Sequence, residues 1–270
     1  MGRNNNMKNR EETGLFPDNH DHRLKYYELL LEQEVSGAYT ETPLPEGYRF
    51  VWYQDGDKKE WKEIEYSAKE LISSEEGERC WEQYYAGKEE ELLTRMLFIE
   101  TDAGEKIATA TAFYEPRDPE GAGWLHWVSI KREYQGKGLA RPLISRALNR
   151  LVELGYTKIK IPTQTTTWVA VRLYLSYGFR PIPKNAISSQ EGYQIIRTLT
   201  GMPCLMEFPI LPMEEIWDPQ EIELEHYMKE TYGDAVRYRW KRGVGRILLQ
   251  IDGIEREIPI PDFLKERGEK

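Results

Sequence analysis

The chain has 270 residues, a formal net charge of −9, and a composition that is 40% hydrophobic and 12% aromatic, which suits one or two packed domains. The acidic balance argues against general nucleic-acid binding, which depends on lysine and arginine side chains that neutralise phosphates. The longest apolar runs fall short of the roughly 18 residues of a membrane span, and residues 1–10 form no apolar signal region. We therefore expect a cytoplasmic protein without a membrane partner.

The first 47 residues predict a disordered tail, one short helix and a linker. Residues 1–20 are polar and rich in asparagine, a composition typical of disorder. Residues 21–34 predict a short amphipathic helix, because apolar side chains recur there at helical spacing. Residues 42–47 contain two prolines and a glycine and predict a linker.

The next part of the chain predicts a strand at Tyr48–Tyr53, followed by two helices at about 57–70 and 74–86. Trp61, Ile64 and Ala68 share one face of the first helix, and Ser74 is a possible N-cap of the second. Two strands, Leu92–Glu100 and Lys106–Tyr114, flank a hairpin signal at Asp102-Ala103-Gly104, and Gly123–Ile130 is the next strand.

The segment Leu139–Leu154 carries the clearest helical pattern, with one apolar stripe and Gly155 as the residue that ends it. Pro142 requires that this helix begin close to Gly138. The elements predicted after it are a strand at Thr157–Ile161, a helix at Thr167–Tyr177 stopped by Gly178, a strand at Phe179–Ile182, a helix at 188–200 and a strand at Met202–Phe208.

Residues 211–270 predict an appendix made of a helix at about 218–232 and a three-stranded meander with a turn at Asp252-Gly253. A unit of this size is marginal alone, so we expect it to pack on the rest of the chain. The predicted organisation is a tail and short helix at 1–44, a main domain at 45–210 and the appendix at 211–270.

The loop Gln135-Gly136-Lys137-Gly138 leads from a strand directly into the helix that begins near Leu139. Two glycines let the backbone turn its N–H groups toward one point, and a helix N-terminus adds its positive dipole end. The N–H groups from Gly136 to Arg141, those of Leu139 and Ala140 included, can therefore hold a phosphate, and Lys137 can add charge. The alternative is a tight strand-to-helix turn that needs glycine for its geometry alone.

Two motifs resemble those of the general N-acyltransferase (GNAT) superfamily. The pattern Gln135-x-x-Gly138-x-Ala140 after a strand resembles its coenzyme A loop. The pattern Ala170-x-x-Leu173-Tyr174-x-x-x-Gly178-Phe179 resembles its second motif, in which a helix ends in Gly-Phe and turns into a strand. The resemblance covers about residues 48–208. It departs from the family at Thr167, where many members have asparagine, although threonine can still donate a hydrogen bond to the cofactor arm.

The resemblance implies an α/β fold of the acyl-CoA N-acyltransferase type. Its mixed central sheet has two splayed parallel strands, here 123–130 and 157–161, and is flanked by helices, with the helix and meander of the appendix added. Acetyl-CoA is the implied co-substrate. Its pantetheine arm would pair as an added strand with the backbone of strand 123–130, at Val128 and Ile130. The implied cofactor contacts are Val128, Ser129, Ile130, Gln135, Gly136, Lys137, Gly138, Leu139, Ala140, Arg141 and Thr167.

Two side chains are candidates for proton transfer. His126 shares strand parity with Val128 and Ile130, and an unperturbed imidazole suits a base at neutral pH. Its alternative roles are to orient the substrate or to make a structural hydrogen bond within a strand where Trp124 and Trp127 flank it. Tyr174 is the acid that the resemblance implies for the departing thiolate, and its alternative is a residue of the helix core.

Other polar residues carry weaker signals. Cys80 and Cys204 lie far apart without metal-ligand spacing, so we expect a reducing compartment and no metal. Glu115, Arg117 and Asp118 can shape an acceptor pocket or form a solvated turn. His20 and His22 fall in the predicted disordered tail. The appendix has a basic face at Arg237, Arg239, Lys241, Arg242 and Arg246, for which a solvated surface is favoured over a phosphate or partner contact.

The sequence thus predicts acetyl transfer from acetyl-CoA to a primary amine by direct attack in a ternary complex, with a backbone N–H near Val128 stabilising the oxyanion. Two alternatives stay open: an acyl-CoA-binding sensor or interaction module without catalysis, and a protein-lysine acetyltransferase. The expected partner is a small-molecule amine, with a homodimer possible and no nucleic acid.

Overall fold

The computed structural model describes residues 20–182, 189–241, 245–251 and 254–265. Its strands are β1 Glu28–Glu34, β2 Tyr48–Trp52, β3 Met96–Thr101, β4 Lys106–Tyr114, β5 Gly123–Ile130, β6 Lys158–Gln164, β7 Arg180–Pro181, β8 Arg237–Lys241, β9 Arg246–Ile251 and β10 Ile254–Pro259. Its α-helices are α1 Lys58–Ser67, α2 Ser74–Tyr84, α3 Glu89–Arg95, α4 Ala140–Glu153, α5 Trp168–Ser176, α6 Gln190–Thr200, α7 Pro219–Tyr232 and α8 Asp262–Lys265. Residues 1–19 of the predicted disordered tail and the predicted turn at Asp252-Gly253 lie outside the described residues.

Seven strands form a mixed sheet in the order β2-β3-β4-β5-β6-β1-β7. Strands β5 and β6 pair in parallel, and the other neighbours pair antiparallel. Strands β10, β9 and β8 form a second, antiparallel sheet. The predicted fold class is confirmed: a mixed sheet with a parallel pair, flanked by helices, and additional strands near the C-terminal end.

Helices cover both faces of the large sheet. One apolar cluster joins α1, α2 and α3 to β3 and β4, with Trp61, Trp81 and Phe98 at its centre. The other joins α4, α5 and α6 to the opposite side, with Leu148 and Phe179 fully buried. The predicted stripe on α4 is part of this second cluster, because its apolar residues recur on one side of the helix.

The parallel pair β5 and β6 separates soon after it begins. The two strands pair at Gly123 with Ile159 and at Trp124 with Lys160, and their pairing stops there. Strand β6 continues to Gln164 against β1, while β5 continues to Ile130 against β4. The diverging strands leave a wedge-shaped gap in the sheet, as the resemblance implied.

The helix predicted over 21–34 is wrong, because residues 28–34 form strand β1. This strand lies between β6 and β7, and Leu29, Leu30 and Leu31 are all buried. A strand covered on both faces has a continuous apolar run, which periodicity alone does not separate from a helix. The hydroxyl of Tyr193 on α6 also donates to the Leu30 carbonyl at 2.5 Å.

The strand predicted at Met202–Phe208 is also wrong. Residues Pro203–Leu205 form a 3₁₀ turn instead. Proline has no N–H to donate to a strand ladder. The Arg197 guanidinium also donates hydrogen bonds to the carbonyls of Leu205, Met206 and Phe208.

Two smaller predictions need correction near the first hairpin. Residues 89–95 form helix α3, so the strand predicted from Leu92 begins at Met96. Helix α2 is capped by Ser73 rather than Ser74, because the Ser73 side chain accepts a hydrogen bond from the Glu76 N–H. The remaining predicted elements occur where expected, within a few residues at their ends.

The C-terminal sheet and α7 enclose a small apolar cluster of their own around Leu224, Met228 and Leu249. Their basic face contacts the rest of the chain. Arg239 donates to the Glu70 carbonyl at 2.7 Å and pairs with Glu76. The expected packing is thus present, whereas the boundaries 1–44, 45–210 and 211–270 stay predictions.

Arg237 also meets the main sheet's helices, since its guanidinium donates to the Tyr66 carbonyl at 2.9 Å. Lys241 pairs with Glu257 inside the appendix, and Arg246 is exposed. Arg242 lies outside the described residues. The solvated face favoured by the sequence is therefore wrong for Arg237 and Arg239, which cover the C-terminal end of α1.

Among the described helices, none is long and apolar enough to cross a membrane.

Candidate functional site

A cavity of about 550 Å³ opens beside the gap between β5 and β6. It is lined by residues of β1, β4, β5, β6, α1, α2 and α5 and of the loops beside them. The structure brings five of the sequence-predicted residues together in its wall, namely His126, Val128, Ser129, Thr167 and Tyr174. The glycine loop and Ile130 are not part of this lining.

A β-bulge shapes this part of β5. Thr109 pairs with Ser129 and Thr111 pairs with His126, so β5 carries one extra residue, and Trp127 adopts a φ of +47°. The bulge changes which face each side chain joins. Trp127 packs with the cluster of α1 and α2, whereas Val128 packs with the cluster of α4. The predicted parity between His126 and Val128 is therefore wrong.

His126 lies half-buried in an aromatic enclosure. Its ring stacks on Phe113 at 4.7 Å between centroids and meets the edge of Tyr84 at the same distance. Burial lowers the pKa of His126 to about 3, and the positive charge of Lys88 acts in the same direction. The imidazole is thus neutral near pH 7, and it is a much weaker base than an unperturbed histidine.

A hydrogen-bond chain contacts one ring nitrogen of His126. The Tyr85 hydroxyl donates to Thr111 Oγ1 at 3.1 Å and lies 3.4 Å from His126 Nδ1. A phenol has one hydrogen, so in the tautomer that suits this arrangement Nδ1 donates to the Tyr85 oxygen and Nε2 keeps its lone pair. His126 can therefore accept a hydrogen bond through Nε2.

Thr167 immediately precedes helix α5, and Tyr174 lies near the other end of the same helix. Tyr174 on α5 is 5% exposed and lines the cavity. Burial raises its pKa further above the usual range, so its hydroxyl keeps its hydrogen at any physiological pH. The Thr167 hydroxyl donates to the Gln164 carbonyl at 3.1 Å, and its oxygen lies 3.3 Å from Thr163 Oγ1, which can donate to it.

Ser129 has a side-chain partner that the sequence did not suggest. Its hydroxyl donates to Oε2 of Glu65 at 2.6 Å. Glu65 on α1 is 0% exposed, it lines the cavity, and its Oε1 has no hydrogen-bond partner. The sequence signal for it was present, since Glu65 lies next to Ile64 and four residues after Trp61 on a face that is otherwise apolar.

The remaining wall is aromatic and acidic. Among the candidates left open by the sequence, Glu115 and Arg117 line the cavity, and Tyr84 lines it too. Asp118 lies just outside it, where it pairs with Lys160 at 2.9 Å and accepts from the indole of Trp124. The aromatic residues of this wall are Tyr84, Phe113, Trp124 and Trp127, and its carboxylates are Glu28, Glu65, Glu70 and Glu115.

The glycine loop lies between β5 and α4. Gly136 and Gly138 adopt φ values of +78° and +83°, and a Cβ at either position would meet open space. The left-handed backbone explains the glycines, and the exposed loop presents its N–H groups to solvent. No side chain caps α4 at Leu139, so the first N–H groups of that helix are available to a ligand.

The other loop residues differ in what they offer. The Gln135 side chain donates to the Ile130 carbonyl at 3.0 Å, which closes the loop on its own strand. Leu139 is buried in the core, so only its backbone faces the loop. Lys137 lies 4.4 Å from the centre of the Tyr134 ring, and Arg141 is exposed at the start of α4.

No group of metal-ligating side chains occurs within the ranges that the structure describes. His20 and His22 are ordered there, contrary to expectation. Nε2 of His22 lies 2.9 Å from the Tyr238 hydroxyl.

Residues 58–179 match the sequence model of the acetyltransferase (GNAT) family. A search of curated proteins finds no significant match. Among solved structures, the chain is similar to a GCN5-related N-acetyltransferase from Sphaerobacter thermophilus, with 18% identity, a TM-score of 0.49, and coverage of 66% of this chain and 53% of that chain.

Two further solved structures are similar to this chain. For an acetyltransferase of the GNAT family from Novosphingobium aromaticivorans, identity is 22%, TM-score is 0.41, and 58% of this chain and 60% of that chain are covered. For glucosamine-6-phosphate N-acetyltransferase from Arabidopsis thaliana, the values are 17%, 0.36, 49% and 91%. The chain thus spans less than two thirds of the length of the first two.

The matched segment runs from the start of α1 to the Gly-Phe that follows α5, and it contains the splayed strands, the glycine loop and all of the cavity wall except Tyr26, Glu28 and Leu29. The chain therefore carries a domain of the acetyltransferase (GNAT) family in residues 58–179.

Proposed function

We propose that the protein transfers an acetyl group from acetyl-CoA to a primary amine by direct attack in a ternary complex. The observation that carries this proposal is the wedge-shaped gap between β5 and β6, whose wall holds Val128, His126 and Tyr174 together. An extended thioester arm could reach this gap from the glycine loop that follows β5.

The cofactor end of the proposal rests on the loop and the strand. Gly136 and Gly138 leave open space in front of uncapped N–H groups at the start of α4, an arrangement that suits a pyrophosphate. The unpaired edge of β5 suits the pantetheine amides, which can form strand-like hydrogen bonds with Val128 and Ile130. The same edge can place the thioester carbonyl beside a backbone N–H near Val128.

The chemistry needs a nucleophile, an oxyanion donor and an acid. The amine nitrogen attacks the thioester carbonyl, and the backbone N–H near Val128 stabilises the negative charge that forms on oxygen. When the carbon–sulfur bond breaks, Tyr174 gives its hydrogen to the thiolate. His126 accepts a hydrogen bond from the amine through Nε2 and orients it, because an imidazole with a pKa of about 3 does not hold a proton at neutral pH.

A small amine is favoured over a lysine of a folded protein. The cavity of about 550 Å³ is walled by aromatic side chains and is the size of a pocket for a small molecule. A protein substrate would require an open groove that accommodates a chain on both sides of the lysine.

A thiol-release assay with acetyl-CoA and a panel of small primary amines tests the proposal. The wild type is expected to release CoA only when an amine is present. Tyr174→Phe is expected to lose most of this turnover, while Tyr227→Phe on α7, outside the cavity, keeps it. Tight binding of acetyl-CoA without turnover on any amine would instead indicate an acyl-CoA sensor.

A further inference from the structure

A carboxylic acid lies on the apolar side of α1, where it contacts the cavity. Glu65 is 0% exposed, and its neighbours Trp61 and Ile64 on the same helix are equally buried. Burial of an ionisable group without a charged partner costs several kcal/mol, so such a group needs an explanation. Glu65 lines the cavity, and Ser129 satisfies its Oε2, but its buried Oε1 has no hydrogen-bond partner.

The surroundings of Glu65 favour its uncharged form over its charged form. Burial raises its pKa well above the usual range, the Ser129 hydrogen bond lowers it, and the charge of Glu70 raises it. The titratable groups that face it are Glu70 after α1, Cys80 on α2, Tyr85 after α2 and Tyr174 on α5. All four are acids, so a positive charge for Glu65 must come from a ligand.

The aromatic and acidic walls of the same cavity favour an organic cation. Tyr84, Phe113 and Trp127 present aromatic rings to the cavity, and aromatic faces attract ammonium groups. Glu28 and Glu115 add negative charge to the same cavity, with Arg117 paired to Glu115 at 3.2 Å. Arg117 compensates Glu115 alone, so an anionic acceptor would still be repelled by Glu28.

We propose that Oε1 of Glu65, with Oε2 held by Ser129, receives the acceptor as an ammonium ion and takes its proton, so the acceptor is a compact organic cation. This inference rests on the proposed function for its catalytic half. The cation site itself stands on the cavity wall alone. Ser129 is a positioning residue in this arrangement, because its hydroxyl fixes the direction of the carboxylate.

The protons balance in three steps. Entry of R–NH₃⁺ drives the Glu65 proton to solvent and leaves an ammonium–carboxylate pair. The ammonium proton then moves to Glu65, and the neutral amine attacks the thioester, with the second nitrogen proton lost as the amide forms. Tyr174 gives a proton to the thiolate, and the second nitrogen proton restores the Tyr174 hydroxyl. The net reaction is R–NH₃⁺ plus acetyl-CoA giving R–NH–CO–CH₃, CoA–SH and H⁺.

Calorimetry with benzyltrimethylammonium chloride tests the cation site without acetyl-CoA. This probe cannot lose a proton, so any proton released on binding comes from the protein. Titrations at pH 7 in buffers of different ionisation enthalpy count these protons. We expect about one proton per bound ion in the wild type and none in Glu65→Gln, which should also bind at least tenfold more weakly.

Glu63→Gln is the matched control, because Glu63 lies on the same helix but is exposed and pairs with Lys59. It should bind and release protons as the wild type does. Ser129→Ala should weaken cation binding and reduce the proton release, because the carboxylate loses the hydroxyl that fixes its direction.

Absence of proton release in the wild type, or equal release and affinity in Glu65→Gln, would overturn the inference. The wild-type titration decides the question even if Glu65→Gln does not fold. The outcome is separate from the proposed function. Cation binding with proton release but no acetyl transfer would remove the proposed enzyme and keep the site. Full acetyl transfer by Glu65→Gln would keep the proposed enzyme and remove the proposed role of Glu65.

Discussion

The hydroxyl of Ser129 lies 2.6 Å from Oε2 of Glu65 and joins β5 to α1 just beyond the bulge at Trp127. This contact fixes a fully buried carboxylate beside the gap that separates β5 from β6. The proposed thioester site and the proposed amine site therefore meet at the β-bulge of β5, with His126 before the bulge and Ser129 after it.

Tyr174→Phe should reduce kcat by about 10²-fold or more while changing the KM for the amine little, since it removes the hydrogen meant for the thiolate and keeps the ring. Steady-state kinetics with acetyl-CoA and a responsive amine measure this. Tyr227→Phe is the control. A Tyr174→Phe enzyme with wild-type kcat would exclude the acid role.

His126→Asn should lower kcat/KM but leave the shape of its pH dependence unchanged. The pKa of His126 is lowered to about 3, so this side chain does not titrate between pH 5 and 9. Rates measured across that range for both proteins test the point. An inflection near pH 6.5 in the wild type that disappears in His126→Asn would show that the imidazole is the titrating base.

The same burial predicts how folding stability depends on pH. The pKa of His126 falls from 6.5 to about 3 on folding, so the unfolded chain binds more protons below pH 6.5. The stability linked to neutral His126 is complete above pH 6.5 and is lost as the pH falls toward 3. His22, with a pKa lowered to about 4, acts in the same direction.

Urea unfolding at pH 7 and pH 5 isolates the His126 part of this loss. The decrease in the free energy of unfolding should be about 1 to 2 kcal/mol smaller in His126→Asn than in the wild type. Glu65 titrates with the opposite sign but is common to both proteins. Equal decreases in the two proteins would mean that His126 is as exposed to solvent as in the unfolded chain.

Much of the site follows from local sequence. The bounds of β5 match the prediction, and the prediction for α4 holds within a residue, because the glycine loop, Pro142 and Gly155 mark their ends through local backbone preferences. The second motif places Tyr174 on α5 in the same way. These signals depend on neighbours in the chain and so are legible before any tertiary contact is known.

What the sequence missed depends on distant contacts. Leu31 pairs with Ile161 on one side and Pro181 on the other, so the strand character of β1 comes from residues far along the chain. The hydrogen bond between Ser129 and Glu65 joins β5 to α1, two elements that the sequence predicted separately. The bulge at Trp127 reverses side-chain parity, and no residue type in that stretch announces a left-handed backbone.

Arg239→Gln should lower the free energy of unfolding by about 1 kcal/mol and speed amide hydrogen exchange in β8. Arg239 donates to the Glu70 carbonyl and pairs with Glu76, so its loss removes a cation from the end of α1. Lys241→Gln is the control, because Lys241 pairs within the appendix. Equal effects of the two changes would mean that Arg239 does not anchor the appendix.

Binding of acetyl-CoA tests the central claim most directly, by calorimetry on the wild type and on Gly138→Glu. The substitution places a negative side chain in the glycine loop at a backbone φ of +83°, where it would repel the pyrophosphate. Lys241→Gln serves again as a control for surface charge. The account predicts micromolar binding by the wild type that Gly138→Glu abolishes, with both proteins folded by circular dichroism. No binding by the folded wild type, or equal binding by the two proteins, would contradict it.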